Sequence, residues 1–285
     1  MAADTSPTVR RRRLASELRR LRIEHGLSMQ EVAERMDLTA ASISRMETGR
    51  RGIRPRDLRA FLDMYGVVET GREPLLALAK EARQRGWWQN YGDVLPGEYA
   101  TLIGLEAEAA STRTYQQTLV PGLLQTAEYA RSVIAASRPG DAPEDVERRA
   151  SVRMERQKRL TGQDPLELSV ILGEGVVHQH VGTAQITADQ FHHLAEANRR
   201  PNVMIQILPY RAGAHPAMTG SFTIVGFPAP SDLDVIYLEN MSSGLYLEDA
   251  ADVRRYVTVF DYLRAAALSP ADTTAMLMDA SKNLS

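Results

Sequence analysis

The chain has no cysteine, which excludes disulfides and thiolate metal sites and suits a reducing compartment. Lysine is nearly as scarce: of 34 basic residues only Lys80, Lys158 and Lys282 are lysines. That bias most simply reflects a GC-rich genome, so arginine abundance by itself carries no functional weight. No apolar run approaches the roughly 18 residues that a membrane span requires. The segment RRRRLASELRRLR leads into an amphipathic helix pattern where a secretory signal would carry an apolar region, and a soluble, cytoplasmic protein is expected. Also missing are the HExxH, Walker, GxSxG and GxGxxG patterns, so neither an enzyme nor a cofactor is expected.

What is present is ordinary for a globular protein: 285 residues, 44% hydrophobic and 25% charged, enough for two domains. The net charge of −2 conceals an asymmetry. Residues 1–86 hold 18 basic against 12 acidic residues, a balance of +6, and the remainder holds 16 against 24, a balance of −8. A basic front end is the electrostatic footprint of a nucleic-acid binder, whereas the acidic remainder would be repelled by phosphate.

The front end reads as five short helices. Leu14, Leu18 and Leu21 recur at helical spacing over residues 10–24, and Gly26 stops that helix. Ser28 followed by Glu31 makes a capping box for a second helix, 28–36. Thr39 caps a third, which Gly49 ends. RPRDLRAFLDMYG and REPLLALAKEARQRG supply the fourth and fifth. On the third helix Ala40, Ala41, Ser44, Arg45 and Thr48 share one face, and Ile43 and Met46 share the other. Small residues around one long guanidinium let a helix approach another surface closely, and the major groove of B-DNA, about 12 Å wide, admits such a helix.

Beyond Gly86 the texture changes. WWQNYGDVLPG reads as a connector, residues 87–99, with Trp87, Trp88 and Tyr91 expected to pack at the joint between domains. A helix is expected from about Leu105 to Gln117, another after the Pro121–Gly122 turn, and a long charged one over 143–160. LELSVILGEGVV, NVMIQILPY, SFTIVGF and DVIYLEN are short β-branched or alternating runs that predict strands, with helices near 187–199 and 249–267. The fold class is therefore an all-α front domain, residues 1–86, followed by a larger α+β domain, residues 100–285. If VVHQH were a strand, His178 and His180 would share a face with Glu174 near enough to complete a metal set. No accompanying motif supports a metal, and polar surface or hydrogen-bonded core histidines are the simpler reading. His215, in the loop AGAHPAMTG between two strands, sits where binding groups gather and is a candidate ligand contact.

The stretch LRRLRIEHGLSMQEVAERMDLTAASISRMETGRRGIRP resembles the helix-turn-helix domain of the XRE family, which includes phage repressors. The resemblance implies that the second helix lies across the phosphate backbone and that the third enters the major groove. It assigns base contacts to Ala40, Ala41 and Arg45, with Thr39 and Ser44 beside them, and a structural salt bridge to Arg22 and Glu47. Ser28 and Gln30, with Arg50, Arg51, Arg54 and Arg56 after the third helix, are the expected phosphate contacts. The sequence departs from the family where a phosphate-gripping Gln is common: that position is Met29, with Gln30 next. Further on, YQQTLVPGLLQTAEYAR, RPNVMIQILPYRAGAHPAMTGSFTIVGF, VIYLEN and YLED resemble the C-terminal domain of actinobacterial regulators of the WhiJ-like group. The two likenesses together imply a regulator that binds a double-stranded DNA operator as a homodimer, and the second adds a small acidic protein encoded by a neighbouring gene as a partner; the alternative is an antitoxin-like protein that chiefly sequesters that partner.

Overall fold

The computed structural model describes residues 9–49, 51–81, 86–228, 233–241 and 243–284. The chain divides into two compact units, Met1–Gly92 with Pro96–Leu105, and Asp93–Leu95 with Glu106–Ser285.

The first unit contains five helices in succession: α1 (Val9–Glu24), α2 (Met29–Arg35), α3 (Ala40–Glu47), α4 (Pro55–Met64) and α5 (Glu69–Glu81). The leucines spaced along α1 turn inward and close, with Val32, Ile43, Met46, Leu58, Phe61 and Leu62, over one buried core. Short polar signals set the boundaries. Ser28 Oγ accepts the Glu31 N–H while the Glu31 carboxylate accepts the Ser28 N–H, a reciprocal cap at the start of α2. The Ser28 N–H also holds the Glu31 carboxyl below its ordinary pKa, so the cap's contribution is present above that ordinary value and fades as pH falls through the lowered one. Thr39 Oγ1 accepts the Ser42 N–H to open α3, and Pro55 starts α4.

Helix α2 ends in a residue of unusual conformation. Asp37 has φ of 52°, the left-handed region, with its N–H donated to Glu34 and the next N–H, of Leu38, donated to Ala33. This is the Schellman arrangement, and α1 and α4 close in the same way around glycines, Gly26 and Gly66. A Cβ at such a φ costs energy that glycine avoids. Asp37→Gly should therefore raise the stability of this unit by about 0.5–1 kcal/mol. A denaturant titration followed by tryptophan fluorescence checks it; both tryptophans, Trp87 and Trp88, lie in this unit.

The second unit is built on a six-stranded mixed sheet of order β3-β2-β1-β4-β5-β6. After α6 (Gly97–Glu108), which belongs to the first unit as far as Leu105, the elements in chain order are β1 (Ser111–Gln116), α7 (Ala127–Ser137), α8 (Pro143–Gln157), β2 (Glu167–Gly173), α9 (Gly175–His178), α10 (Ala184–Ala197), β3 (Val203–Leu208), β4 (Phe222–Gly226), β5 (Val235–Glu239), β6 (Gly244–Leu247), α11 (Ala250–Ala266) and α12 (Pro270–Lys282). The helix expected over 105–117 is corrected here. Helix α6 begins at Gly97 and stops at Glu108, and residues 111–116 form β1, which has β2 on one side and β4 on the other. The helix-forming run LEAEA is followed by STRTY, whose β-branched and aromatic side chains favour a pleated, buried surface. Arg159 marks the junction by donating to the Ala109 carbonyl at 2.8 Å and the Glu106 carbonyl at 3.4 Å. Arg156 forms a buried bidentate pair with Glu106, at 2.8 and 2.7 Å.

Strands β1, β2 and β3 run parallel, in register Tyr115 to Ile171 and Ile171 to Gln206. Parallel neighbours need long crossovers, which α7 with α8, and α9 with α10, supply. On the other side β1, β4, β5 and β6 form an antiparallel ribbon. Helix α11 covers one face, packing Val253, Phe260 and Leu263 on Tyr115, Ile171, Phe222, Ile224 and Ile236. The outer edge of β3 is capped: Ile207 donates its N–H to Thr273 Oγ1 and Ile205 to Asn198 Oδ1. Two elements, β6 and α12, carried no sequence expectation.

Candidate functional sites

The site in the first unit starts from the two faces of α3. Ile43 and Met46 are buried, as are Ser42 and Glu47. Ala41, Arg45 and Thr48 are exposed, with Thr39 ahead of them, and Ser44 is half-buried. Ala40 is also half-buried and packs against the core, so less of it faces outward than helical spacing alone suggests.

Three devices fix this face. Arg22 of α1 reaches Glu47 of α3 through two hydrogen bonds, at 2.7 and 2.9 Å, and gives a third to the Leu27 carbonyl at 2.8 Å. The pair is 9% and 5% exposed, and Glu47's hydrogen bond holds the guanidinium above its ordinary pKa. Close by, burial and the Glu47 charge push the Tyr65 phenol up to about 12. The second device is Gly49, at φ of 70°, which ends the helix. The third is Arg51, whose N–H is donated to the Arg45 carbonyl at 2.9 Å and whose guanidinium donates to Ser42 Oγ at 3.0 Å. Arg51 thus braces the base of the helix.

The remaining expected phosphate contacts differ in readiness. Arg54 and Arg56 flank the start of α4, both exposed; the Arg56 side chain is 91% exposed, with Asp57 3.6 Å away. Arg50 lies outside the described residues. Gln30 donates its amide to Glu34 at 2.9 Å and would have to exchange that carboxylate for a phosphate. Ser28 is engaged in the capping box and exposed.

A second concave site lies in the second unit, at the carboxyl ends of the three parallel strands. This cleft has a volume of about 580 Å³ and is lined by Tyr115, Glu174, His178, Tyr210, His215 and Met218 among others. The strand expected through VVHQH is corrected: β2 ends at Gly173, and residues 175–178 form the short helix α9. Glu174 and His178 therefore meet as helical neighbours, with Oε1 to Nε2 at 3.5 Å, while His180 lies beyond the helix and is exposed. Among the described residues no group of three or more histidines and carboxylates could hold a metal ion. His215 Nε2 lies 3.5 Å from the Tyr115 hydroxyl, and its buried Nδ1 has no hydrogen-bond partner. Tyr115 and Tyr210, which meet these histidines, escaped sequence reading because they lie 95 residues apart in number. Trp87, Trp88 and Tyr91 pack edge-on within the first unit, with Trp88 against Gly104.

The fold therefore defines a two-part protein: an N-terminal helix-turn-helix region of the kind found in DNA-binding regulators, and a mixed α/β domain. Comparison with known families agrees. Residues 13–75 match a helix-turn-helix domain, and residues 99–279 match the family described as a domain of unknown function (DUF5753). The second match covers more than half of the chain, which belongs to that family. No curated protein and no solved structure matches the chain. Among the described residues no helix is long and apolar enough to cross a membrane.

Proposed function

We propose that the protein is a sequence-specific transcriptional regulator of the XRE type. It binds a double-stranded operator as a homodimer through α3, and its C-terminal domain, residues 100–285, dimerises and receives a protein or small-molecule signal through the connector at 87–99. The observation that carries the reading is the outward side of α3: Ala41, Arg45 and Thr48 exposed, with Arg54 and Arg56 exposed just beyond it. Small side chains permit close approach to a groove, Arg45 can read guanine with two parallel hydrogen bonds, and the flanking arginines meet phosphates.

A dimer is favoured by the arithmetic of recognition. One helix discriminates by only about 1–3 kcal/mol per base pair, and symmetry doubles the site. A separate signal domain is favoured by bulk: a minimal DNA-binding repressor would need little beyond the first 86 residues, yet the chain has 285. The resemblance to the WhiJ-like group makes a small acidic protein encoded nearby one candidate signal.

The test is selection from random DNA. Arg45→Ala should relax preference at one position of each half-site, by about 1–3 kcal/mol, because a guanidinium paired to a base edge carries sequence information. Arg56→Ala should weaken binding to all sequences alike. An unchanged motif for Arg45→Ala would remove α3 from the groove.

A further inference from the structure

The cleft of the second unit has a chemical character of its own. It lies outside the carboxyl ends of β1, β2 and β3, beside the point where the sheet changes from parallel to antiparallel pairing between β1 and β4. Ligands of open α/β sheets collect at such places. Its volume of about 580 Å³ falls within the range of small-molecule sites.

The walls are held in place. Gln117, just past β1, donates its amide to the carbonyls of Ala217 and Met218 at 3.1 and 3.2 Å, and its N–H to Ser221. These bonds tie the His215 loop to the end of β1. Glu174, just past β2, accepts the N–H of Tyr210, just past β3. Glycines flank Glu174 for a steric reason: a Cβ at Gly173 would sit 3.0 Å from the Gln117 carbonyl oxygen, and one at Gly175 would sit 3.1 Å from the Tyr210 hydroxyl. The strand ends can approach because those side chains are absent.

Charge and ring placement then select the occupant. Among the described residues Glu174 is the only carboxylate lining the cleft, no lysine or arginine lines it, and the Glu174 side chain is 20% exposed. One of its oxygens is taken by Tyr210, and the other faces His178 at 3.5 Å, too long for a strong hydrogen bond. The His178 and Tyr210 rings lie nearly parallel, at 10° and 6.1 Å, and Tyr210 and Met218 are 68% and 62% exposed at the mouth. Exposed flat and soft apolar groups beside a single carboxylate suit a cation with a planar body, held by charge-assisted hydrogen bonds and by the faces of the rings. An anion would meet the Glu174 charge with only the imidazoles of His178 and His215 to offset it.

We propose that this cleft binds a small planar organic cation, an amidinium or aryl-ammonium, with its charge on Glu174 and its flat body against Tyr210 and Met218. The proposal rests on the reading of the C-terminal domain as a receiver and names what it receives.

The test uses the full-length protein and three probes of one shape and different charge: benzamidine, benzamide and benzoate. Binding is measured by calorimetry and localised by the methyl resonance of Met218. Benzamidine should bind at least about tenfold more tightly than benzamide, and benzoate not at all. Glu174→Gln, which keeps an oxygen for the Tyr210 N–H, should abolish the preference for benzamidine over benzamide. Tyr210→Ala, at an exposed position, should weaken both. Benzoate binding as well as benzamidine, an undiminished preference in Glu174→Gln, or no Met218 response at saturating benzamidine would each overturn the proposal. A fourth measurement separates it from the reading beneath it. If benzamidine fills the cleft but affinity for the selected DNA stays the same, the cleft stands and its role as the receiver falls.

Discussion

Glu47→Ala should unfold the helical unit selectively, lowering its stability by about 3–5 kcal/mol and abolishing DNA binding while the second unit stays folded. The loss is large because of what remains. Arg22 would keep its charge in a site where the pair is only 9% and 5% exposed, with the Leu27 carbonyl as its one remaining partner. A unit of this size has a total stability on the order of 5–10 kcal/mol, so losing half of it is decisive. The pair also joins α1 to α3 directly, so the recognition face would lose its alignment before the unit melted. Tryptophan fluorescence reads this unit alone, because both tryptophans belong to it. The informative control is the double substitution of Arg22→Met with Glu47→Leu, which removes both charges and keeps the volume. It should restore most of the stability, since apolar replacement of a buried ion pair is often neutral or favourable. A loss below about 1 kcal/mol in Glu47→Ala would mean that water reaches the site and that the pair does little.

The helical unit was legible in the sequence because its signals are local. Ser28 and Glu31 are three residues apart, Thr39 and Ser42 likewise, and Gly26, Gly49 and Gly66 each stand at a helix end. Leucine spacing on α1 named the core directly. What is local reads locally. The Arg22–Glu47 pair spans 25 residues and came only through family resemblance.

In the second unit the runs that became β2 to β5 were recognisable from their β-branched content, but β1 was hidden by the helix-forming residues before it. Its central place depends on pairing with β2 and β4, more than 50 and 100 residues away in number, which no window of sequence contains. The Arg156–Glu106 pair and the α12 cap on β3 are non-local in the same way. The cleft was half visible. His215 was singled out from its loop, and Glu174 and His178 were weighed together, but in a strand geometry that the short helix α9 replaces. Their real partners, Tyr115 and Tyr210, are brought in by the parallel crossovers.

Affinity for the operator should collapse as salt rises, by roughly 10⁴-fold between 50 and 200 mM. The size follows from counting charges. Arg50, Arg51, Arg54 and Arg56 give each protomer up to four guanidinium groups in the stretch of sequence that follows α3. Each phosphate neutralised releases condensed counterions and adds about −0.9 to the slope of log affinity against log salt, so eight contacts from two protomers give roughly −7 and four from a single protomer roughly −3.6. The fourfold change in salt then separates a loss of about 10⁴ from one of about 10². The slope therefore counts protomers on the DNA as well as contacts. Arg51 is already bonded to Ser42, so it should contribute less than Arg54 and Arg56, which are free to turn outward. Removing Arg54 and Arg56 together should flatten the slope by roughly 3.6 in a dimer and half that in a monomer, with the selected motif unchanged. Residues 87–285 carry a balance of −8 and add no attraction for phosphate. Fluorescence anisotropy of a labelled operator at stepped salt concentrations gives the slope for the native protein and the double variant. A flat profile in the native protein would place the arginines away from the backbone and end the case for α3 as the element that meets DNA.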